Sequence, residues 1–156
     1  MSRAVIYYSL TGNTEKTAKL IAEKTGADLI RIDTVKPMPK GFKSQIMYGG
    51  MLATFGMKPE LKDIPEKLGQ YDDIIMGTPV WAGTFAPAFK TLFARYPLAD
   101  KVTAVFTYSG SGDNSKCIAR LSKFMPRLKD SVSLFDESKG PREENKAPLE
   151  DFISKL

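Results

Sequence analysis

Val5-Ile6-Tyr7-Tyr8-Ser9-Leu10-Thr11-Gly12-Asn13-Thr14 is the stretch that decides the fold. With Ala4, its first four residues make a short apolar run rich in β-formers, the pattern of a strand buried on both faces. A turn of hydroxyls around Gly12 follows. A helix then begins at once and runs from Thr14 to Thr25. Ala18, Ile21, Ala22 and Thr25 share one face, Glu15 stands in the first turn and Lys24 in the last, and Gly26 supplies the stop.

The same alternation recurs down the chain. Leu29–Ile32 reads as a second strand nearer an edge, Asp73–Gly77 as a third, Val102–Thr107 as a fourth and Ser131–Phe135 as a fifth. Helices are predicted over Thr84–Arg95, with Thr84 as N-cap and Pro87 in the first turn, and over Asn114–Met125, stopped by Pro126. A last helix starts at Pro148 and carries Leu149, Phe152, Ile153 and Leu156 on one face. Between Asp33 and Asp72 the pattern weakens: Pro37 and Pro39 break the chain, and a helical pattern over Gly41–Phe55 is interrupted by Gly49-Gly50. Five strands alternating with helices specify an α/β fold, a parallel sheet with helices on both faces, in one domain over residues 1–156.

Composition narrows the chemistry. The 156 residues are 42% hydrophobic and 26% charged, ordinary values for a soluble globular protein, and no apolar run is long enough to insert in a membrane. The first residues run straight into a strand pattern with no signal-peptide character, so the cytoplasm is the expected location. Cys117 is the only cysteine, which excludes an internal disulfide and a cysteine-rich metal cluster. Histidine is absent, which removes histidine triads, ligands and general bases. Difficult chemistry therefore falls to an organic cofactor. The net charge of +5 is spread among acidic residues, as in Lys58-Pro59-Glu60-Leu61-Lys62-Asp63, so a solvated mixed surface is expected and no nucleic-acid partner.

In open parallel sheets ligands bind beyond the carboxyl ends of the strands. Three loops lie there. After strand one, Ser9, Leu10, Thr11, Gly12, Asn13 and Thr14 offer hydroxyls, an amide and the free N–H groups of a helix start, a neutral setting that favours a phosphate. After strand three, Thr78, Pro79, Val80, Trp81, Ala82 and Gly83 carry the only tryptophan and no charge, which suits stacking on a planar ring. After strand four, Tyr108, Ser109, Gly110, Ser111, Gly112 and Asp113 permit close approach by a heteroaromatic edge; as a dinucleotide fingerprint this glycine run is weak.

With those residues in view, the chain resembles the flavodoxin family, through the strand and phosphate loop Val5–Thr14 and through its length and strand–helix order. The resemblance implies a three-layer sandwich with strand order 2-1-3-4-5 and a non-covalent FMN. It implies that Ser9, Thr11, Gly12, Asn13 and Thr14 hold the phosphate. Thr78, Pro79, Val80, Trp81, Ala82 and Gly83 then line the isoalloxazine with Trp81 stacked, and Tyr108, Ser109, Gly110, Ser111 and Gly112 form the third wall. The expected function is electron transfer between a reductase and an acceptor, both unidentified, by a monomer or homodimer. An FMN-dependent NAD(P)H:quinone oxidoreductase of the same fold and a non-redox phosphate-ligand module stand as alternatives.

Two departures bear on that expectation. Electron-carrying flavodoxins are acidic and this chain is basic, which puts the usual docking partners in question and predicts a less negative reduction potential. Ala82 stands where the family often has a glycine whose peptide turns as the flavin is reduced, and alanine resists positive φ. Elsewhere, Met38, Met47, Met51 and Met57 read as core fillers, Tyr48 as packing and Cys117 as a buried, inert thiol.

Overall fold

The computed structural model describes residues 2–36 and 57–156. The predicted helix over Gly41–Phe55, with Tyr48, Met47 and Met51, and Met38 too, falls outside them. Among the described residues six strands are present: β1 (Arg3–Tyr7), β2 (Asp28–Arg31), β3 (Asp73–Trp81), β4 (Thr84–Phe85), β5 (Val102–Ser109) and β6 (Asp130–Phe135). Four α-helices accompany them among the same described residues: α1 (Asn13–Thr25), α2 (Pro87–Arg95), α3 (Ser115–Ser122) and α4 (Lys146–Ser154).

The sheet runs β2-β1-β3-β5-β6, all parallel, with β4 paired antiparallel to the end of β3. Counting parallel strands alone, this is the predicted order 2-1-3-4-5. Successive strand residues point to opposite faces, and they sort into two separate cores. Ile6, Ile74, Met76 and Val105 pack with Phe89 and Leu92 of α2 and Leu121 of α3. Val5, Tyr7, Ile75, Ala104 and Phe106 pack with Ala18 and Ile21 of α1 and Phe152 of α4. Strands buried on both faces need apolar residues at every position, which is why β1, β3 and β5 read as unbroken apolar runs. β2 buries only Ile30, as its edge place allows.

The structure corrects several boundaries. The ladder of β3 does not end at Gly77; it continues through Thr78–Trp81. Thr84 is no helix cap: it pairs with Trp81 in β4, and α2 begins at Pro87, with Ala86 before it and proline at its tolerated first position. The pairs Val80↔Phe85 and Trp81↔Thr84 leave Ala82 and Gly83 as a two-residue hairpin turn. The helix expected to Met125 closes at Ser122, and α4 starts at Lys146, ahead of Pro148.

The connection after β2 leaves and returns along a short antiparallel pairing. Thr34 bridges Leu61, and the Val35 N–H donates to the Glu60 carbonyl at 2.8 Å. Among the described residues no helix is long and apolar enough to cross a membrane, and no group of acidic or cysteine side chains forms a metal site.

Candidate functional site

A cavity of about 460 Å³ opens at the carboxyl ends of β1, β3 and β5, within the size range of small-molecule sites. All three predicted loops reach it. Leu10, Thr11, Asn13 and Thr14 come from the first, Pro79, Val80, Trp81 and Ala82 from the second, Tyr108, Ser109 and Gly110 from the third. A fourth segment joins them after β6, through Asp136 and Ser138, residues that the sequence reading did not single out.

The first loop offers hydrogen-bond donors with no Lys or Arg of the described residues beside them in the cavity lining. Gly12 takes φ 96°, and no side chain caps the start of α1, so its first-turn N–H groups keep no intrahelical acceptor. The Ser9 hydroxyl turns inward and accepts from the Gly12 N–H at 3.1 Å, bracing the turn. Thr14 is only 2% exposed, yet its hydroxyl has no hydrogen bond among the described residues and faces the cavity. A buried hydroxyl left open in this way calls for a ligand oxygen. Among the described residues no Lys or Arg lines the cavity. Arg31 stands outside it and bonds the Ser9 carbonyl at 3.0 Å while pairing with Glu15 and Asp33.

The second loop is the hairpin. Thr78 is fully buried and turned from the cavity; its hydroxyl accepts from the Ala86 N–H at 2.9 Å and so fixes the base of the turn. Trp81 is partly buried and meets Tyr8 edge to face, ring centres 5.7 Å apart. Ala82 has φ 50°, and it is the one non-glycine residue with positive φ among those described. Gly83 has φ 70°. Both central residues are therefore left-handed, as a tight hairpin turn with the right twist requires. The turn therefore uses both Ala82 and Gly83.

At the third loop Tyr108 is 5% exposed and shares a 2.8 Å hydrogen bond with the Thr17 hydroxyl of α1. Burial raises its phenol pKa, against the Thr17 bond. The ring is thus a fixed wall of the cavity, tied into the core. Gly112 lies under the Phe135 ring and its carbonyl accepts from Ser133. Ser111 and Gly83 line a neighbouring cavity of about 280 Å³. Ser9, Gly12, Thr78, Gly83, Ser111 and Gly112 shape the loops and do not line the main cavity.

Asp136 closes the fourth side. It accepts from the Asn13 amide and from the Ser138 hydroxyl, and among the described residues it is the only carboxylate in the lining. Buried Asn145 sets this segment in place: its side chain bonds both the N–H and the carbonyl of Phe135, at 2.7 and 2.9 Å, and Glu137 besides. The signal for it in sequence was faint, a strand end followed by Asp-Glu-Ser with no glycine. Cys117 is fully buried and burial pushes its thiol up to about 12, so it stays protonated and inert. Met57 is 47% exposed and is no core filler.

The uncapped helix start, the open Thr14 hydroxyl and the uncharged indole wall fit a planar ring carrying a phosphate, the shape of FMN. Comparison with known proteins agrees. The family profile described as NADPH-dependent FMN reductase matches residues 1–129. An NAD(P)H dehydrogenase (quinone) of Archaeoglobus fulgidus is 31% identical over 136 residues, covering 78% of this chain and 69% of its own. A flavoprotein structure from Bacteroides eggerthii superposes with TM-score 0.79 at 22% identity, over 99% of this chain and 95% of that one. A flavoprotein of Lactobacillus acidophilus, solved in complex with FMN, gives TM-score 0.68 at 24% identity, over 88% and 95%. At those identities the two structures speak for the flavodoxin-like fold.

Proposed function

The chain belongs to the NADPH-dependent FMN reductase family, with FMN as its cofactor, and we propose that it is an FMN-dependent oxidoreductase that takes electrons from NAD(P)H and passes them to a small acceptor of the quinone class. The observation that carries this reading is the convergence of three loops on one cavity whose phosphate end offers hydroxyl and backbone donors and whose ring end is apolar. FMN, when bound, would supply the two-electron and one-electron transfer.

The residues of this chain do the holding. The first-turn N–H groups of α1, with Thr11, Thr14 and Asn13, take the phosphate. Pro79, Val80, Trp81 and Ala82 flank the ring and keep water from that side. Tyr108, fixed by Thr17, and Gly110 bound the third side. Asp136 orients Asn13. The net charge of +5 suits a polyanionic dinucleotide better than the basic docking face of a reductase protein, which favours direct use of NAD(P)H over the carrier role.

The test is steady-state oxidation of NADPH and NADH by the FMN-loaded protein, with and without a water-soluble benzoquinone. Oxidation that accelerates with quinone and requires FMN is the expected result. An FMN-loaded protein that ignores both nucleotides and accepts electrons only from a separate reductase establishes the carrier reading in its place.

A further inference from the structure

Positive charge is unevenly placed on this chain. Between Asp113 and Asp130 stand Lys116, Arg120, Lys123, Arg127 and Lys129 with no Asp or Glu among them, so this one segment carries as much net charge, +5, as the whole chain. Lys116, Arg120 and Lys123 recur at helical spacing along the outer side of α3 and its last turn, opposite buried Cys117 and Leu121, and all three are exposed. On α1 and α4, by contrast, Lys19 pairs with Glu15 at 2.8 Å and Lys155 with Asp151 at 2.7 Å. Among the described residues none of the three α3 cations forms an ion pair, and residues 37–56 contain no Asp or Glu. The flanking carboxylates lie to either side. Asp113 accepts from the Ser115 N–H at 2.9 Å and acts on Lys116 at longer range. Asp130 lies with Phe152 and Lys155 on the α4 side of the sheet. Arg120 and Lys123 are therefore unbalanced. Beside them Phe124 is 40% exposed, the one exposed aromatic ring among the described residues. Its inner side meets Phe85 and Phe93, with ring centres 6.1 and 5.9 Å away, so the ring is held outward by packing.

We propose that this face of α3 is a peripheral docking surface for an anionic lipid bilayer, with Arg120 and Lys123 over the headgroup phosphates and Phe124 at the acyl boundary. Unpaired cations around one apolar ring are what such a boundary attracts. The composition speaks against a protein partner, since lysine is depleted at the centre of protein interfaces. A bilayer draws in long, unpaired cations without requiring a fixed geometry. The docking does not rest on the proposed oxidoreductase activity. Lys116 lies against Gly83, in the turn beside the main cavity. Docking therefore also sets the hairpin near the layer in which quinone-class acceptors dissolve, and that consequence alone rests on the proposed activity.

The experiment is co-sedimentation of the FMN-loaded protein with vesicles of phosphatidylcholine alone and of phosphatidylcholine mixed with phosphatidylglycerol. Binding to the anionic vesicles only, falling as salt rises, is the expected result. Each cation near such a surface contributes about fivefold, so Arg120→Gln with Lys123→Gln should weaken binding roughly twenty-fivefold. Lys24→Gln with Lys155→Gln makes the same charge change at α1 and beyond α4, and should alter binding no more than about twofold. Phe124→Ser should weaken it severalfold. Arg120 and Lys123 are exposed, so their variant keeps the test decisive even where Phe124→Ser perturbs folding. Sedimentation with neither vesicle, equal binding to both, or equal losses in the two charge variants would each overturn the proposal. So would retention on immobilised polyglutamate without vesicle binding, which assigns the face to an acidic polypeptide.

Discussion

Gly12 and Ala82 meet the same backbone demand in two loops of one cavity, and they meet it differently. Each takes positive φ, 96° at Gly12 and 50° at Ala82. Glycine adopts that region at no steric cost, whereas an L-residue with a Cβ gives up about 1–2 kcal/mol there. The phosphate loop is thus a relaxed turn whose function lies in exposed backbone donors. The hairpin is a strained turn held in register by the Val80↔Phe85 and Trp81↔Thr84 pairs and by Thr78 beneath it. Strain of that kind persists only where the surroundings over-determine it. The lesson concerns two modes of holding one ligand. On the proposed reading, one end recognises charge through hydrogen bonds, and the other presents an apolar wall whose position is fixed by strand pairing.

The largest expected effect separates those modes by ligand. Thr14→Val keeps the shape of a residue that is 2% exposed and removes its open hydroxyl. A hydrogen bond to a charged group contributes about 1.5–3 kcal/mol, so FMN affinity should fall roughly tenfold to a hundredfold. Riboflavin, which has no phosphate, should bind as before. Fluorescence titration with both flavins checks this; equal losses for the two would mean that the loop does not read the phosphate. Trp81→Ala attacks the other end. It should weaken FMN and riboflavin alike, by about tenfold, from the lost aromatic contact and buried area. A loss confined to FMN would reverse the assignment of the two ends.

The backbone contrast can be inverted directly. A Cβ placed on Gly12 meets nothing within 4 Å, so Gly12→Ala adds strain and no clash. It should cost about 1–2 kcal/mol, whereas Ala82→Gly should gain about 1 kcal/mol by relieving the same strain, less the added freedom of the unfolded chain. For a chain of this length 1 kcal/mol corresponds to about 2–4 °C in melting temperature. Melts of the FMN-free proteins read both. Should Ala82→Gly melt no higher than the parent, the hairpin carries no strain and the contrast with Gly12 falls.

How much of this was legible follows the same physics. The parallel order could be read because strands buried on both faces must be apolar at every position, and Val5-Ile6-Tyr7, Ile74-Ile75-Met76 and Val105-Phe106 are. The first loop could be read because hydroxyls, glycine and a helix start are adjacent in sequence. The hairpin was hidden by Pro79 and Pro87, which read as loop and helix punctuation, and by Thr84, whose capping propensity is local while its ladder pairing with Trp81 is set by the fold. The Asp136 segment was hidden for a different reason. It owes its place to Asn145 and Asn13, residues distant in sequence whose contacts leave no local pattern.

Asp136 also supplies the smallest and most discriminating test. Among the described residues it is the one carboxylate lining the cavity, where no Lys or Arg stands with it. Asp136→Asn removes the charge but keeps an oxygen that accepts from the Asn13 amide. If the carboxylate acts chiefly as a like charge beside the phosphate, FMN should bind about two- to threefold more tightly at low salt, riboflavin should not change, and the gain should shrink as salt screens the pair. If instead it grips hydroxyls that both flavins share, both should weaken together and salt should have little influence. The sign of the FMN effect, set against riboflavin, therefore decides whether the fourth loop belongs with the charge-reading end of the cavity or only with its walls.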